Sequence, residues 1–134
     1  PVPSNHIALR TFAIDAVAAG AASGPYSASP LMVVRGTPVR VTGWAYDPRS
    51  KRTANRFLVR TDANPWQHDG SYHLARPDVA AAFHLPDVGD SGFVVVAQTS
   101  RLGQGYHRIA FATQTDSNPP RPLTATITVL VRNR

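Results

Sequence analysis

Residues 123–131 read Leu-Thr-Ala-Thr-Ile-Thr-Val-Leu-Val, and this stretch decides the fold. Leu123, Ala125, Ile127, Val129 and Val131 fall on one face; Thr124, Thr126 and Thr128 fall on the other. A period of two with β-branched residues on both faces predicts a strand with one side buried. The same reading carries outward along the chain. Ile109 and Phe111 share a face within 106–115, and Phe57 and Val59 share one within 56–62. Phe93 to Gln98 is a continuous apolar run, which predicts a strand buried on both faces or nearly so. Leu31 to Val34 is a short strand before the Gly36-Thr37-Pro38 turn.

Residues 39–46 alternate at first, with Val39 and Val41 inward, and then Trp44 falls out of phase. A bulge at Gly43 would swing Trp44 and Tyr46 onto the face of Val39 and Val41, where the indole is worth several kcal/mol of burial. The alternative leaves Trp44 exposed as a platform. Residues 7–14 predict a first strand with a change of phase. Residues 16–30 predict a strand end running into an Ala/Gly/Ser/Pro loop. Asp69-Gly70 predicts a small hairpin over 66–74. Residues 77–83 predict the one helical turn, with Pro77 at its first position and Asp78 near its positive end.

The sum is seven or eight strands with turns every 8–14 residues. The expected fold is an all-β, antiparallel, immunoglobulin-like sandwich with one short helix near 77–83. Residues 1–6 read as a linker or trimmed terminus and 7–132 as a single domain. Composition agrees: 134 residues, 43% hydrophobic and 16% charged, make one globular domain. Of the 14 basic residues only Lys51 is lysine, all 8 acids are aspartate, and glutamate is absent. Long helices draw on Glu and Lys for their wet faces, so this usage disfavours a helical protein. Rich Ala, Arg and Pro usage is associated with GC-rich bacterial genomes.

With no cysteine, disulfide scaffolds, thiolate zinc sites and cysteine nucleophiles are excluded. No apolar run approaches the ~20 residues that span a bilayer. Gly89-Asp90-Ser91-Gly92 copies a serine-protease tetrapeptide without the two barrels and the histidine context that chemistry needs, and reads as a turn. His68, His73 and Asp69 would supply three metal ligands only if the hairpin turned them to one point; exposed loop histidines are the default. His107 shares a face with Ile109 and Phe111 and reads as a hydrogen-bonded histidine at the core edge. No pair of aspartates is singled out for glycoside hydrolysis, and no phosphate-cradling glycine loop is present. The expectation is therefore no enzyme, no cofactor and no resident metal.

The net charge of +6 favours anionic partners or simply keeps the domain soluble. One basic cluster stands out, Arg49, Lys51, Arg52 and Arg56, read as a solvated loop or an anion-binding patch. Basic residues without interleaved rings argue against nucleic acid. Exposed aromatics are candidate stacking platforms for a glycan: Trp66 and Tyr72, with Tyr26 and Tyr106 behind them. The structural alternative for Trp66 is a cap on one end of the sandwich.

Gly43-Trp44-Ala45-Tyr46-Asp47, then Arg76-Pro77-Asp78-Val79-Ala80, then Ser91-Gly92-Phe93, then Gly105-Tyr106-His107 occur in that order. This order resembles a small β-sandwich module of bacterial envelope proteins, appended to membrane-anchored proteins and glycosyltransferases and of unassigned function. The likeness spans roughly 39–111, and the usual Val-Asp-Gly after the third strand is replaced here by Arg60 to Trp66. It implies a non-catalytic accessory domain, periplasmic, envelope-bound or secreted, that binds a protein or glycan partner. Within the motif, Trp44, Asp47, Arg76, Asp78 and Phe93 are expected to be structural, with Arg76 pairing Asp47 or Asp78. The functional alternative makes Arg76 and Asp78 a ligand pocket.

Overall fold

The computed structural model describes residues 11–20, 22–25 and 30–133. The expected linker at 1–6, the first residues of the strand foreseen at 7–14, and Tyr26 lie outside them. The strands are β1 (Phe12–Ala19), β2 (Ala22–Pro25), β3 (Leu31–Val34), β4 (Val39–Ala45), β5 (Arg56–Thr61), β6 (Gly70–Leu74), β7 (Gly92–Ala97), β8 (Gly105–Gln114) and β9 (Arg121–Arg132). Helix α1 (Pro77–Phe83) and a 3₁₀ turn (Pro86–Val88) fill the connection from β6 to β7. The order in the five-stranded sheet is β2-β1-β4-β7-β6, and in the four-stranded sheet β3-β9-β8-β5. This is the all-β sandwich with one short helix that the alternation predicts.

The core lies between the sheets. Phe57 from β5 stacks on Phe93 from β7, ring centroids 3.9 Å apart, and Phe111 from β8 closes the cluster at 6.0 Å from Phe57. Ile127, Val129 and Val131 are buried as their alternation requires. In β7, Phe93, Val95 and Ala97 are buried while Val94 and Val96 are only half-buried. The strand is therefore buried on one face, and the apolar run reflects partial cover of the other.

Several expectations are corrected. One strand pair, β3 with β9, is parallel, so the four-stranded sheet is mixed. The 16–30 segment is not a strand end and loop alone: β1 turns at Gly20 and returns as β2. The bulge sits in β1, between Ile14 and Ala16, and not at Gly43. β4 keeps its phase against β7 through Gly43 and Trp44. Gly43 faces the core with Val39 and Val41, where a Cβ would lie 2.1 Å from the Ala13 carbonyl oxygen and 2.9 Å from Phe93 Cζ. Trp44 and Tyr46 are buried, but on the outer face of the five-stranded sheet. They are covered by Val79, Phe83 and Val88 from α1 and the 3₁₀ turn. The helix is what makes the wrong-phase tryptophan a core residue.

The hairpin expected at 66–74 does not form. Gln67 exchanges backbone hydrogen bonds with Val59 at the edge of the four-stranded sheet. Three residues later Gly70 opens β6, opposite Val95 in the five-stranded sheet. The chain crosses from one sheet to the other there. Gly70 serves this close approach: at φ +148° a Cβ would meet the Val94 carbonyl oxygen at 2.0 Å.

Candidate functional site

The outer face of the four-stranded sheet carries the candidate site, and strand register builds it row by row. Val59 faces Gln67, so the outward Arg60 lies beside Trp66; Arg60 faces Ala110, and Ala110 faces Thr126. The Arg60 guanidinium sits 4.4 Å from the centroid of the Trp66 ring, a cation–π contact. Its Nε is shut off from solvent and has no acceptor among the described residues. In the next row the Asp62 N–H donates to the Arg108 carbonyl, and Arg108 faces Thr128. The third row is Tyr106, Leu130 and Met32 across β8, β9 and β3. Tyr106 is 68% exposed and Met32 58%.

A depression of about 440 Å³ opens on this face. Ala110 and Thr128 floor it, because their side chains are short, and Arg60, Arg108, Tyr106, Asp62 and His107 wall it. Beside it His107 Nδ1 donates to Asp62 Oδ2 at 2.6 Å, and Nε2 donates to the Gly103 carbonyl at 2.7 Å. Two acceptors facing both ring nitrogens suit the imidazolium. The Asp62 bond, with the Gly103 carbonyl, raises the His107 pKa above its ordinary range. Burial pushes the Asp62 carboxyl up, but bonds from His107 and the Arg108 N–H outweigh it and hold the group below its usual range. His107 is the hydrogen-bonded edge histidine that its place in β8 predicts.

The residues named from the sequence distribute as follows. Trp66 is half-buried, with the Arg60 guanidinium over its ring. Tyr72 is corrected: it is no exposed platform. Its ring packs 5.6 Å from Phe57, and its hydroxyl donates to the Ala45 carbonyl at 2.6 Å while accepting from the Ala54 N–H. Burial drives its phenol far above the ordinary tyrosine range. Tyr106, by contrast, is the exposed tyrosine ring among the described residues. Arg49, Lys51 and Arg52 are exposed on a turn that Asp47 organises. The Asp47 N–H donates to the Arg52 carbonyl, and Asp47 Oδ1 accepts the Arg49 N–H at 2.9 Å. Arg49 borders a separate cleft of about 380 Å³ with Arg121 and the 118–122 loop.

Arg76 does not reach Asp47. It makes a fork to Asp78, with Nε at 3.0 Å and Nη2 at 2.8 Å, and its Nη1 bonds Asp15 at 2.7 Å. Asp47 bonds the Thr115 hydroxyl instead. Burial pushes the Asp47 carboxyl up, while bonds from Arg49, Thr115 and Ser50 and the charge of Arg121 bring it below the usual range. Phe93 and Trp44 are buried in the two clusters on opposite faces. His68 Nδ1 and His73 Nε2 bond separate backbone carbonyls, Phe57 and Ala54. Among the described residues no group of three or more His and Asp side chains could hold a metal ion. No helix among them is long and apolar enough to cross a membrane.

Sequence reading missed Arg60 and Arg108. The signal was present: each stands one place from an inward residue, Val59 or Ile109, and so points outward. Pairing of β5 with β8 brings them together, and nothing local encodes that pairing. Protein-family models, curated proteins and solved structures were all compared with this chain, and none matches it.

Proposed function

We propose that this chain is a non-catalytic interaction module of a bacterial envelope or secreted protein, working outside the cytoplasm. It binds a protein or glycan partner through the outer face of its four-stranded sheet. The observation that carries the reading is the row Tyr106–Leu130–Met32. Isolated exposed apolar side chains are ordinary on any surface. Here two large ones, 68% and 58% exposed, flank a third in one cross-strand row beside an open depression. Such a row is costly in water and is offset when a partner covers it.

The non-catalytic part draws support from where the titratable groups are committed. Arg76, Asp15 and Asp78 hold one another, and His107 is held by Asp62 and Gly103. The location outside the cytoplasm, and the envelope or secreted setting, rest on the resemblance carried by Gly43 to Asp47, Arg76 to Ala80 and Ser91 to Phe93. A glycan is favoured over a protein by the exposed Tyr106 ring at the rim of the depression, a flat apolar surface on which the C–H face of a sugar can stack.

The test is a glycan array read with the native chain and with a Tyr106→Ser, Met32→Ser variant of unchanged melting temperature. Signals on the native chain that vanish in the variant support the reading. Signals that persist in the variant place binding elsewhere and overturn it. A blank array removes the glycan partner and leaves the protein partner.

A further inference from the structure

Among the described residues, neither guanidinium group at the depression is hydrogen-bonded to a carboxylate. Arg60 faces Ala110 while Arg108 lies one row on, so they are diagonal neighbours, roughly 7–8 Å apart at the backbone. Neither makes an ion pair among the described residues. The nearest carboxylate, Asp62, is spent: Oδ2 takes His107, and Oδ1 takes the backbone N–H of Arg108 rather than its side chain. Asp62 feels the charge of Arg108 through space but makes no hydrogen-bonded ion pair with it, so among the described residues both guanidinium groups lack a directly bonded carboxylate.

We propose that this depression binds a carboxylated sugar chain, a polyuronate, with Tyr106 as the stacking platform and Arg60 and Arg108 as the carboxylate readers. The inference rests on the reading of this face as the binding surface and names its ligand class. A pyranose ring has an apolar C–H face and a polar rim. The C–H face buries against an exposed aromatic ring, and the short floor of Ala110 and Thr128 lets the chain settle onto the sheet. The rim of a uronate carries a carboxylate, which a planar guanidinium grips through two parallel hydrogen bonds.

Trp66 prepares the site. Its ring holds the Arg60 guanidinium in one plane, so less side-chain entropy is lost when a carboxylate arrives. A nucleic acid would need a longer basic track with several interleaved rings. This depression offers one exposed phenol ring and two arginines, with the Asp62–His107 pair at its edge.

The probe is a galacturonate tetramer titrated calorimetrically into the native chain at low salt. Three variants of unchanged melting temperature accompany it: Tyr106→Ala, Arg108→Gln, and Arg40→Gln on the exposed outer side of β4. The native chain is expected to bind. Tyr106→Ala and Arg108→Gln should each weaken binding by about tenfold, as loss of one charged hydrogen bond or one stacking contact does. Arg40→Gln removes the same charge elsewhere and should stay within about twofold. Equal weakening by Arg40→Gln shows general attraction to a polyanion and overturns the proposal. So does absence of tetramer binding. An uncharged glucan tetramer or phosphatidylglycerol vesicles, tested beside it, separate the two levels. Tyr106-dependent binding of either, without tetramer binding, refutes the acidic-sugar class while the face remains the binding surface. Loss of every Tyr106-dependent signal refutes both.

Discussion

Arg76 and Asp15 stand 61 residues apart in sequence and 2.7 Å apart across the outer face of the five-stranded sheet. The bulge between Ile14 and Ala16 is where Asp15 lies, and the Arg76 fork to Asp78 is where helix α1 begins. One cation therefore ties an irregular strand to the entry of the helix that covers Trp44. Among the described residues this is the hinge of the motif's structural half.

Replacing Arg76 should loosen that helix. Arg76→Ala removes a fork and a third bond, and should cost about 1–2 kcal/mol of unfolding free energy by urea denaturation. Asp15→Ala and Asp78→Ala remove single partners at more exposed positions, and each should cost less than about 1 kcal/mol. Arg76→Lys should behave more like alanine than like arginine, because a single ammonium cannot make the fork. Full stability in Arg76→Ala would show that the helix docks through Trp44, Tyr46 and Phe83 alone.

Gly43 is predicted to be intolerant for a reason unrelated to backbone strain. An added Cβ would lie 2.1 Å from the Ala13 carbonyl oxygen, a backbone atom of the neighbouring strand. That oxygen cannot retreat without parting β1 from β4. Gly43→Ala should therefore cost about 3 kcal/mol or more, or abolish folding. Gly103→Ala, where nothing lies within 4 Å, should change stability by about 0.5 kcal/mol or less. Thermal melting of the two variants side by side decides it.

Much of the fold was written in period-two alternation. Ile127, Val129 and Val131 inward, Pro77 opening a helix, and Leu31 to Val34 as a short strand all follow from local rules. What escaped was non-local. Trp44 is one residue out of phase whichever way it is read, and only docking of α1 explains its burial. Asp69-Gly70 has hairpin chemistry, but its glycine lets β6 approach Val94, a contact 24 residues away in sequence. Tyr72 and Tyr106 look alike as aromatics in alternating strands; register turns the first onto Phe57 and the second into solvent.

The His107–Asp62 pair makes stability depend on pH in a stated direction. The His107 pKa is raised above 6.5, so its contribution is complete below about 6.5 and is lost as pH rises through the higher folded value. The Asp62 pKa is lowered below 3.8, so its contribution is present above that value and is lost as pH falls through the lower folded value. Both operate between about 4 and 6.5. The stability gap between the native chain and His107→Leu, from urea titrations, should be widest at pH 5 and narrower at pH 9. A gap that widens toward pH 9 would show that His107 is held neutral.

The two tryptophans should separate cleanly by energy. Trp44 is 7% exposed and packs on Tyr46, Phe83 and Val79, so Trp44→Ala should cost about 3–5 kcal/mol. Trp66 is half-buried with Arg60 over its face, and Trp66→Ala should cost about 1–2 kcal/mol. Trp44→Phe leaves Trp66 as the sole indole, and the guanidinium stacked on it makes its emission a reporter of that face. Galacturonate that draws Arg60 toward a carboxylate should shift this emission in Trp44→Phe, and the shift should need about tenfold more galacturonate when Arg108→Gln is added. Equal costs for Trp44→Ala and Trp66→Ala would instead make Trp66 an end cap of the sandwich, with no reporting role.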